Sequence, residues 1–425
     1  VPAEVTQSWR FTSRKPFKPT APTAAGGLVF IAGDDCKVRA IDAKTGLLKW
    51  TFLAGGPVIQ PPTLWRGRAY FGSGDGYVHV LEAATGGPLW RFRIAPVERK
   101  IMVYGSLCST WPVNSGVLVN EGVAYAAAGI IDYDGTCVSA LDAITGKLKW
   151  QNTNSGHLDK ELRKGVSAQG VLTLTGERLW MPGGNVVPPA SYDLATGKYH
   201  GQLVAGGRPR YFINRGQEIG LLNERYLIQG GRLRFSATEN VVNPGKFTVL
   251  DLSGDWQTGK GIQLCNGKIP PAWDESQLVM ADGLYSKPAC YSFDAIEKLL
   301  AGGNPESDWI SGKEVSGWSL TWNFLPRFGD WTTGKDLSVW LRESDTVSPA
   351  MARNAVVEVY RTRMARGGSD RWTVHTLDLN SGDVIWEQPL NSPALPGGLL
   401  ISREGSVVVV MQDGTVNCFA AKGGS

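Results

Sequence analysis

Histidine is scarce, at four in 425 residues, and His79, His157, His200 and His375 are not spaced as a metal-ligand pair. Zinc chemistry is thereby left without its usual ligands, and no metal site is expected. The six cysteines include no Cys-x-x-Cys, no haem-attachment Cys-x-x-Cys-His and no adjacent pair. Disulfides and buried free thiols both remain open for them. The net charge of +4 is too small to call for nucleic acid. No apolar run approaches the length of a membrane span, and no leader-like N-terminus is present. The start at Val1 rather than Met points to a removed leader or upstream segment. Gly72-Ser-Gly-Asp-Gly76 lies inside a β hairpin with no helix behind it, which speaks against a phosphate site.

Glycine (53) and tryptophan (16) are plentiful, while charged residues make up only 19 %. That mixture suits many short strands joined by tight turns, each carrying a large aromatic wedge. One phrase organises the chain: Ala140-Leu-Asp142-Ala-Ile-Thr145-Gly146-Lys-Leu-Lys-Trp150. Period-two alternation on both sides of a glycine turn is a hairpin signal. The phrase returns at Ala40–Trp50, Leu81–Trp90 and Leu377–Trp386, and more weakly around Tyr192–Gly197 and Leu250–Leu252. In the Tyr192–Gly197 copy, His200 is read as standing where the tryptophan belongs, as a packed substitute rather than a ligand.

The tryptophans at 9, 50 and 90 lie about 40 residues apart, the length of a four-stranded propeller blade. Val5–Phe11 reads as a strand with no preceding partner. The last strands, Gly398–Met411 and Thr415–Ala420, lack a following tryptophan strand. Each end supplies what the other misses, so pairing them would close a ring without open sheet edges. The prediction is an all-β, single-domain propeller over 1–425 with about eight four-stranded blades. A short helix is expected at Asp294–Leu300, and 303–352 reads as an irregular insertion.

The repeated phrase resembles the pyrroloquinoline-quinone-like (PQQ-like) repeat of the quinoprotein-dehydrogenase-like superfamily, Ala-x-Asp-x-x-Thr-Gly-x-x-x-Trp. The resemblance implies that Trp50, Trp90, Trp150 and Trp386 pack between neighbouring blades. It also implies a choice of functions, because the superfamily holds quinone-dependent alcohol dehydrogenases, the scaffold of the outer-membrane β-barrel assembly machine and secreted repeat proteins without assigned activity. The chain looks most like the last group.

Loops from an outer strand to the next inner strand share one face with loops between middle strands, and such loops carry function. On that face the sequence puts Arg14, Lys15 and Lys18, then Arg99, Lys100 and Tyr104, then His157, Lys160 and Arg163. Arg208, Arg210, Tyr211, Arg215, Arg232 and Arg234 complete the series. Converging guanidinium groups bind carboxylate or sulfate bidentately. Salt bridges to Asp132, Asp134, Asp159, Glu161 and Glu218 are the competing reading.

The first functional expectation is a periplasmic or extracellular binding or scaffold module recognising an anionic glycan or a protein segment, with no cofactor. Its ligand-binding residues are Arg99, Lys100, Trp111, Lys160, Arg163, Arg208, Arg210 and Arg215. An alternative is a β-eliminating lyase on acidic polysaccharide, with His157, Tyr211 or Tyr104 moving protons. A third is a quinone-dependent dehydrogenase, with Ca²⁺ and PQQ held by Trp111 or Trp273 and by Asp132 or Asp134. The adjacent-cysteine signature of the alcohol dehydrogenases is absent.

Overall fold

The computed structural model describes residues 1–103, 105–130, 134–156, 165–183, 189–202, 218–221, 226–231, 245–251, 261–265, 272–274, 276–281, 288–292, 344–362, 368–379 and 383–422. Described residues form strands and turns and no helix; the helix expected at Asp294–Leu300 lies outside them. Seven four-stranded antiparallel sheets, one three-stranded sheet and one separate hairpin are present among them. In chain order the sheets cover 23–53, 63–93, 118–152, 173–202, 218–265, 272–292 (three strands) and 344–390. The last combines 394–421 with the N-terminal strand.

That N-terminal strand, Val5–Phe11, pairs antiparallel with Val416–Ala421, setting Trp9 opposite Cys418. The termini therefore share one sheet. Gly398–Met411, read from sequence as one strand, is two: Ala394–Ile401 and Val407–Met411, joined through a turn closed by Gly405 N–H to the Ser402 carbonyl at 3.0 Å. The end of the supposed irregular insertion is also ordered, since Ser344–Ala352 is the first strand of its sheet. Alternating small and apolar residues there match the strand beside it, a pattern hidden by the tryptophan-rich stretch before it.

Within the 23–53, 63–93 and 118–152 sheets the two middle strands are buried and the fourth is not. Leu28–Ala32 and Lys37–Asp42 are almost wholly buried, whereas Leu48–Leu53 alternates exposed and half-buried. Apolar clusters lie between successive sheets. One joins Tyr70, Val78 and Val80 to Ala124, Ala126 and Leu141, and another joins Val138 and Ala140 to Leu179, Met181 and Tyr192. The C-terminal sheet packs on both sides, against the 344–390 sheet and against Val29, Ile31 and Ile41.

The repeated phrase makes the link between sheets. The Asp142 carboxylate accepts hydrogen bonds from the Ile144 and Thr145 amides at 3.1 and 2.7 Å and from the Thr145 hydroxyl at 2.8 Å. Gly146, at φ 72°, donates to the Asp142 carbonyl at 2.8 Å. A Cβ there would stand 2.7 Å from the Trp90 ring of the preceding sheet, so glycine is required for the approach as well as for the turn. The indole N–H of Trp90 then donates to the Ala143 carbonyl at 3.3 Å. The same bond runs from Trp9 to Ala43, Trp50 to Ala83 and Trp150 to Leu194, at 2.9, 3.0 and 3.0 Å. Each such ring contributes about 2–3 kcal/mol of burial.

The 173–202 sheet corrects one sequence reading. Opposite Ser191, in the register where Ala140 faces Trp150, stands Gly201 at φ 120°, not His200. His200 instead takes the place of Lys149, with its Nε2 4.0 Å from Asp193. A one-residue slip in a strand exchanges the two faces, so His200 and Gly201 point to opposite sides of the sheet.

Candidate functional site

The connection from Ile94 to Val117 joins the outer strand of the 63–93 sheet to the next inner strand. It holds the separate hairpin, Lys100–Val103 with Ser106–Ser109, whose strands pair only with each other among the described residues. Its base is fixed by the Ser109 amide donating to the Gly74 carbonyl at 2.6 Å and by the Thr110 amide donating to Arg99 at 2.9 Å. Ile101, Met102 and Leu107 are exposed, Met102 by 70 %. Arg99 and Lys100 are exposed beside them.

Arg99 is held rather than loose. Its Nε donates to Thr110 Oγ1 at 3.0 Å, and its guanidinium carbon lies 5.3 Å from the Trp111 ring centroid. Trp111 Nε1 in turn donates 2.8 Å to the Asp134 carbonyl, in the loop between the middle strands of the following sheet. A guanidinium laid on an indole keeps its charge while its freedom is restricted, an arrangement suited to a carboxylate partner.

On the other side of the hairpin base a cleft of about 560 Å³ is lined by Asp75, Tyr77, His79, Arg91, Glu98 and Lys100, with Phe52 and Leu53 from the neighbouring sheet. At its floor His79 Nε2 meets Asp75 Oδ2 at 2.9 Å, and both side chains are buried. The His79 ring stacks on Phe71, with centroids 5.4 Å apart and planes within 9°. Asp75 also accepts from the Gly55 and Tyr77 amides at 3.2 and 3.0 Å. Burial pushes the Asp75 carboxyl upward, but the His79 hydrogen bond and charge with the Tyr77 and Ser73 bonds outweigh it, and its pKa falls below the ordinary value. Arg91 lies 5.0 Å over the Tyr77 ring.

Of the residues expected from sequence, Arg99, Lys100 and Trp111 are brought together here, with Asp134 joined through its carbonyl. Tyr104, His157, Lys160, Arg163, Arg208, Arg210, Tyr211 and Arg215 lie outside the described residues, as do Asp132, Asp159, Glu161, Arg232 and Arg234. Arg14, Lys15 and Lys18 are exposed around the buried Phe17. The Asp75–His79 pair escaped sequence reading. Its signal is a polar residue inside an apolar strand, four positions after an aspartate, as in Asp35…Arg39 of the preceding sheet.

Of the residues named for a quinone with Ca²⁺, Asp132 lies outside the described residues. Trp273 is exposed at a sheet edge, and Asp134 offers its carbonyl to Trp111. Among the described residues no group of three or more His, Cys, Asp or Glu side chains is placed to hold a metal ion. Nor is any helix among them long and apolar enough to cross a membrane.

Among relatives, the dehydrogenase subunit of the quinone alcohol dehydrogenase of Acetobacter aceti is 24 % identical over 220 residues, covering 47 % of this chain and 29 % of that protein. The outer membrane protein assembly factor BamB of Moranella endobia is 26 % identical over 130 residues, covering 30 % of this chain and 29 % of the relative. The matches thus span less than a third of the length of either protein. A europium-containing methanol dehydrogenase superposes with a TM-score of 0.57 at 13 % identity, covering 98 % of this chain and 93 % of that one. A computationally designed protein, Ika8, gives 0.55 at 13 % identity, covering 96 % and 97 %. Both likenesses concern the fold alone. The family model described as outer membrane protein assembly factor BamB matches residues 4–61 and 55–269, more than half of the chain, and the protein belongs to that family of PQQ-like β-propellers.

Proposed function

We propose that the protein is a periplasmic binding and scaffold module, a single ring of about eight blades closed by its N-terminal strand, that docks a protein segment on the 100–109 hairpin. The observation that carries the reading is the hairpin itself. Met102 and Leu107 face each other across the hairpin and present aliphatic surface to solvent, with Lys100 on the same face, Ile101 exposed on the other face opposite Cys108, and the anchored Arg99 at the base. An extended or amphipathic segment with acidic flanks matches that surface. Aliphatic side chains cover such a segment by burial, and the two cations set its orientation. A glycan would be served better by aromatic platforms than by these aliphatics. Membership in a family named for an assembly factor supports a scaffold role.

The test places a photo-crosslinking amino acid at Met102 and, as a control, at Leu148 on an exposed outer strand. On this reading the Met102 probe captures one defined protein in the producing cell and Leu148 does not. Met102→Glu with Leu107→Glu then abolishes binding of the identified segment in vitro while leaving the melting temperature unchanged. Equal labelling from both positions would refute the docking face. Selective retention on acidic polysaccharide, blocked by Arg99→Ala and indifferent to Met102→Glu, would return the glycan to first place. Reduction of a dye acceptor by protein supplied with PQQ and Ca²⁺ would return the dehydrogenase.

A further inference from the structure

Successive sheets meet along seams, and the outer end of one seam stands open where its sisters are closed. In the 118–152 sheet Ser139 faces Gln151 across the two outer strands. Gln151 Nε2 donates to Ser139 Oγ at 3.1 Å and reaches the Ile94 carbonyl, just past the outer strand of the preceding sheet, at 3.4 Å. That side chain bridges the seam. In the 23–53 sheet Arg39 and Thr51 hold the same register. Arg39 is bonded to Asp35 and lies 4.0 Å from the centroid of Phe17, a buried ring packed between that sheet and the C-terminal one. There an aromatic side chain fills the seam.

Arg91 holds the position of Gln151 in the 63–93 sheet, opposite His79. It turns back over Tyr77 of its own sheet and bonds to no carbonyl of the 23–53 sheet among the described residues. The space left is the cleft of about 560 Å³, walled by Phe52 and Leu53 on one side and by Tyr77, Leu89 and Arg91 on the other. Clefts that hold small organic molecules run from about 300 to 1,000 Å³.

The lining sorts into a tied floor, an apolar middle and a charged mouth. Asp75 is occupied by His79 and by the Gly55 and Tyr77 amides. Leu53 and Leu89 leave 68 % and 46 % of their surface open, with the ring of Phe52 half-buried beside them. At the mouth Arg91, Glu98 and Lys100 are exposed, and none of them has an ion-pair partner among the described residues. Two cations against one anion favour a single negative charge, and Glu98 would repel the second charge of a phosphate. A guanidinium restrained on an aromatic ring keeps its N–H edge for a carboxylate, which it meets with two parallel bonds.

We propose that this open seam binds a small monocarboxylic acid with an apolar body. Arg91 and Lys100 hold the carboxylate at the mouth, and Phe52, Leu53 and Leu89 cover the body, which gains by leaving water. Met102 and Leu107 do not line the cleft, so this inference and the docking reading fail separately.

Isothermal titration of the purified chain with 4-phenylbutyrate, 4-phenylbutyramide and acetate tests it. The first should saturate one site. The amide, which lacks the charge, and acetate, which lacks the body, should each bind at least about tenfold more weakly. Arg91→Gln installs the residue of the bridged seam; it should keep the melting temperature and bind the acid no better than the amide. Lys100→Gln should weaken the acid severalfold and leave the amide alone, whereas Leu53→Asn should weaken both alike. Lys149→Gln, an exposed cation on the following sheet, should change neither. No saturable binding of 4-phenylbutyrate up to about 10 mM overturns the proposal. Equal affinity for acid and amide overturns it too, as does an Arg91→Gln protein that binds the acid as the parent does.

Discussion

Trp386 Nε1 donates to the carbonyl of Pro2 at 3.0 Å, tying together residues 384 positions apart in the chain. Trp9 continues the series by donating to Ala43. The first eleven residues therefore serve both neighbours of the C-terminal sheet. Deleting 1–11 would expose Val416–Ala421 as an open edge and leave Trp386 without its acceptor. The truncated protein is expected to melt well below the full chain and to aggregate as it unfolds. Scanning calorimetry with light scattering checks this, and a melting temperature within about 2 °C of the full chain would contradict it.

Two glycines with the same backbone separate the turn from the contact. Gly67 and Gly146 both have φ 72°, but a Cβ on Gly67 meets nothing within 4 Å, while one on Gly146 meets the Trp90 ring at 2.7 Å. Gly67→Ala should cost only the left-handed penalty, about 1 kcal/mol. Gly146→Ala adds displacement of a packed indole, for a total of about 2–4 kcal/mol. Urea titrations of the two variants supply the comparison. Equal losses would mean that the tryptophan yields freely.

Acid should loosen the turns before the core. Backbone hydrogen bonding from Thr45, with bonds from Lys49, from the Thr45 side chain and from Lys44, lowers Asp42 to about 2. The Thr145 and Thr196 turns lower Asp142 and Asp193 in the same way. A depressed carboxylate contributes stability that is present above its ordinary value and lost as pH falls through the folded one. The melting temperature should therefore fall between pH about 4 and about 2. Asp42→Asn, which keeps an acceptor but does not titrate, should flatten that fall slightly, and the triple change at 42, 142 and 193 more clearly. An unchanged acid limb in the triple variant would show that these turns do not govern it.

Much of this architecture was legible because it repeats. Asp142, Thr145, Gly146 and Trp150 each have a local role, and recurrence at a fixed offset exposes those roles without coordinates. Legibility ended where the repeat lost a member. The offset of four from Gly146 to Trp150, applied to Gly197, leads to Gly201, but with no tryptophan there the neighbouring ring of His200 stands out in its place. The basic loops suffered differently. Charge patterning puts Arg99 and Lys100 on the 94–117 connection, but side-chain convergence between loops depends on tertiary packing that no period encodes. The aliphatic tip of the hairpin is hidden in the sequence because Ile101, Met102 and Leu107 look like any core strand until both hairpin edges are found unpaired among the described residues.

The Asp75–His79 pair offers the sharpest test of whether the cleft floor is structural. Asp75 accepts from His79 and from the Gly55 and Tyr77 amides, so its removal strips partners from three donors at once. Breaking a buried pair from one side leaves the other member uncompensated, and Asp75→Ala should cost about 3–5 kcal/mol. His79→Phe should cost less, because the ring can keep its stack on Phe71 and the carboxylate keeps its two backbone donors. In the double variant the losses should fall short of the sum of the singles, the difference being the coupling of the pair. Denaturant unfolding of all four proteins measures it. Additive losses would mean that the 2.9 Å contact carries no energy of its own, and a stable Asp75→Ala protein would release the pair from a structural role and make it the first place to look for proton transfer in the cleft.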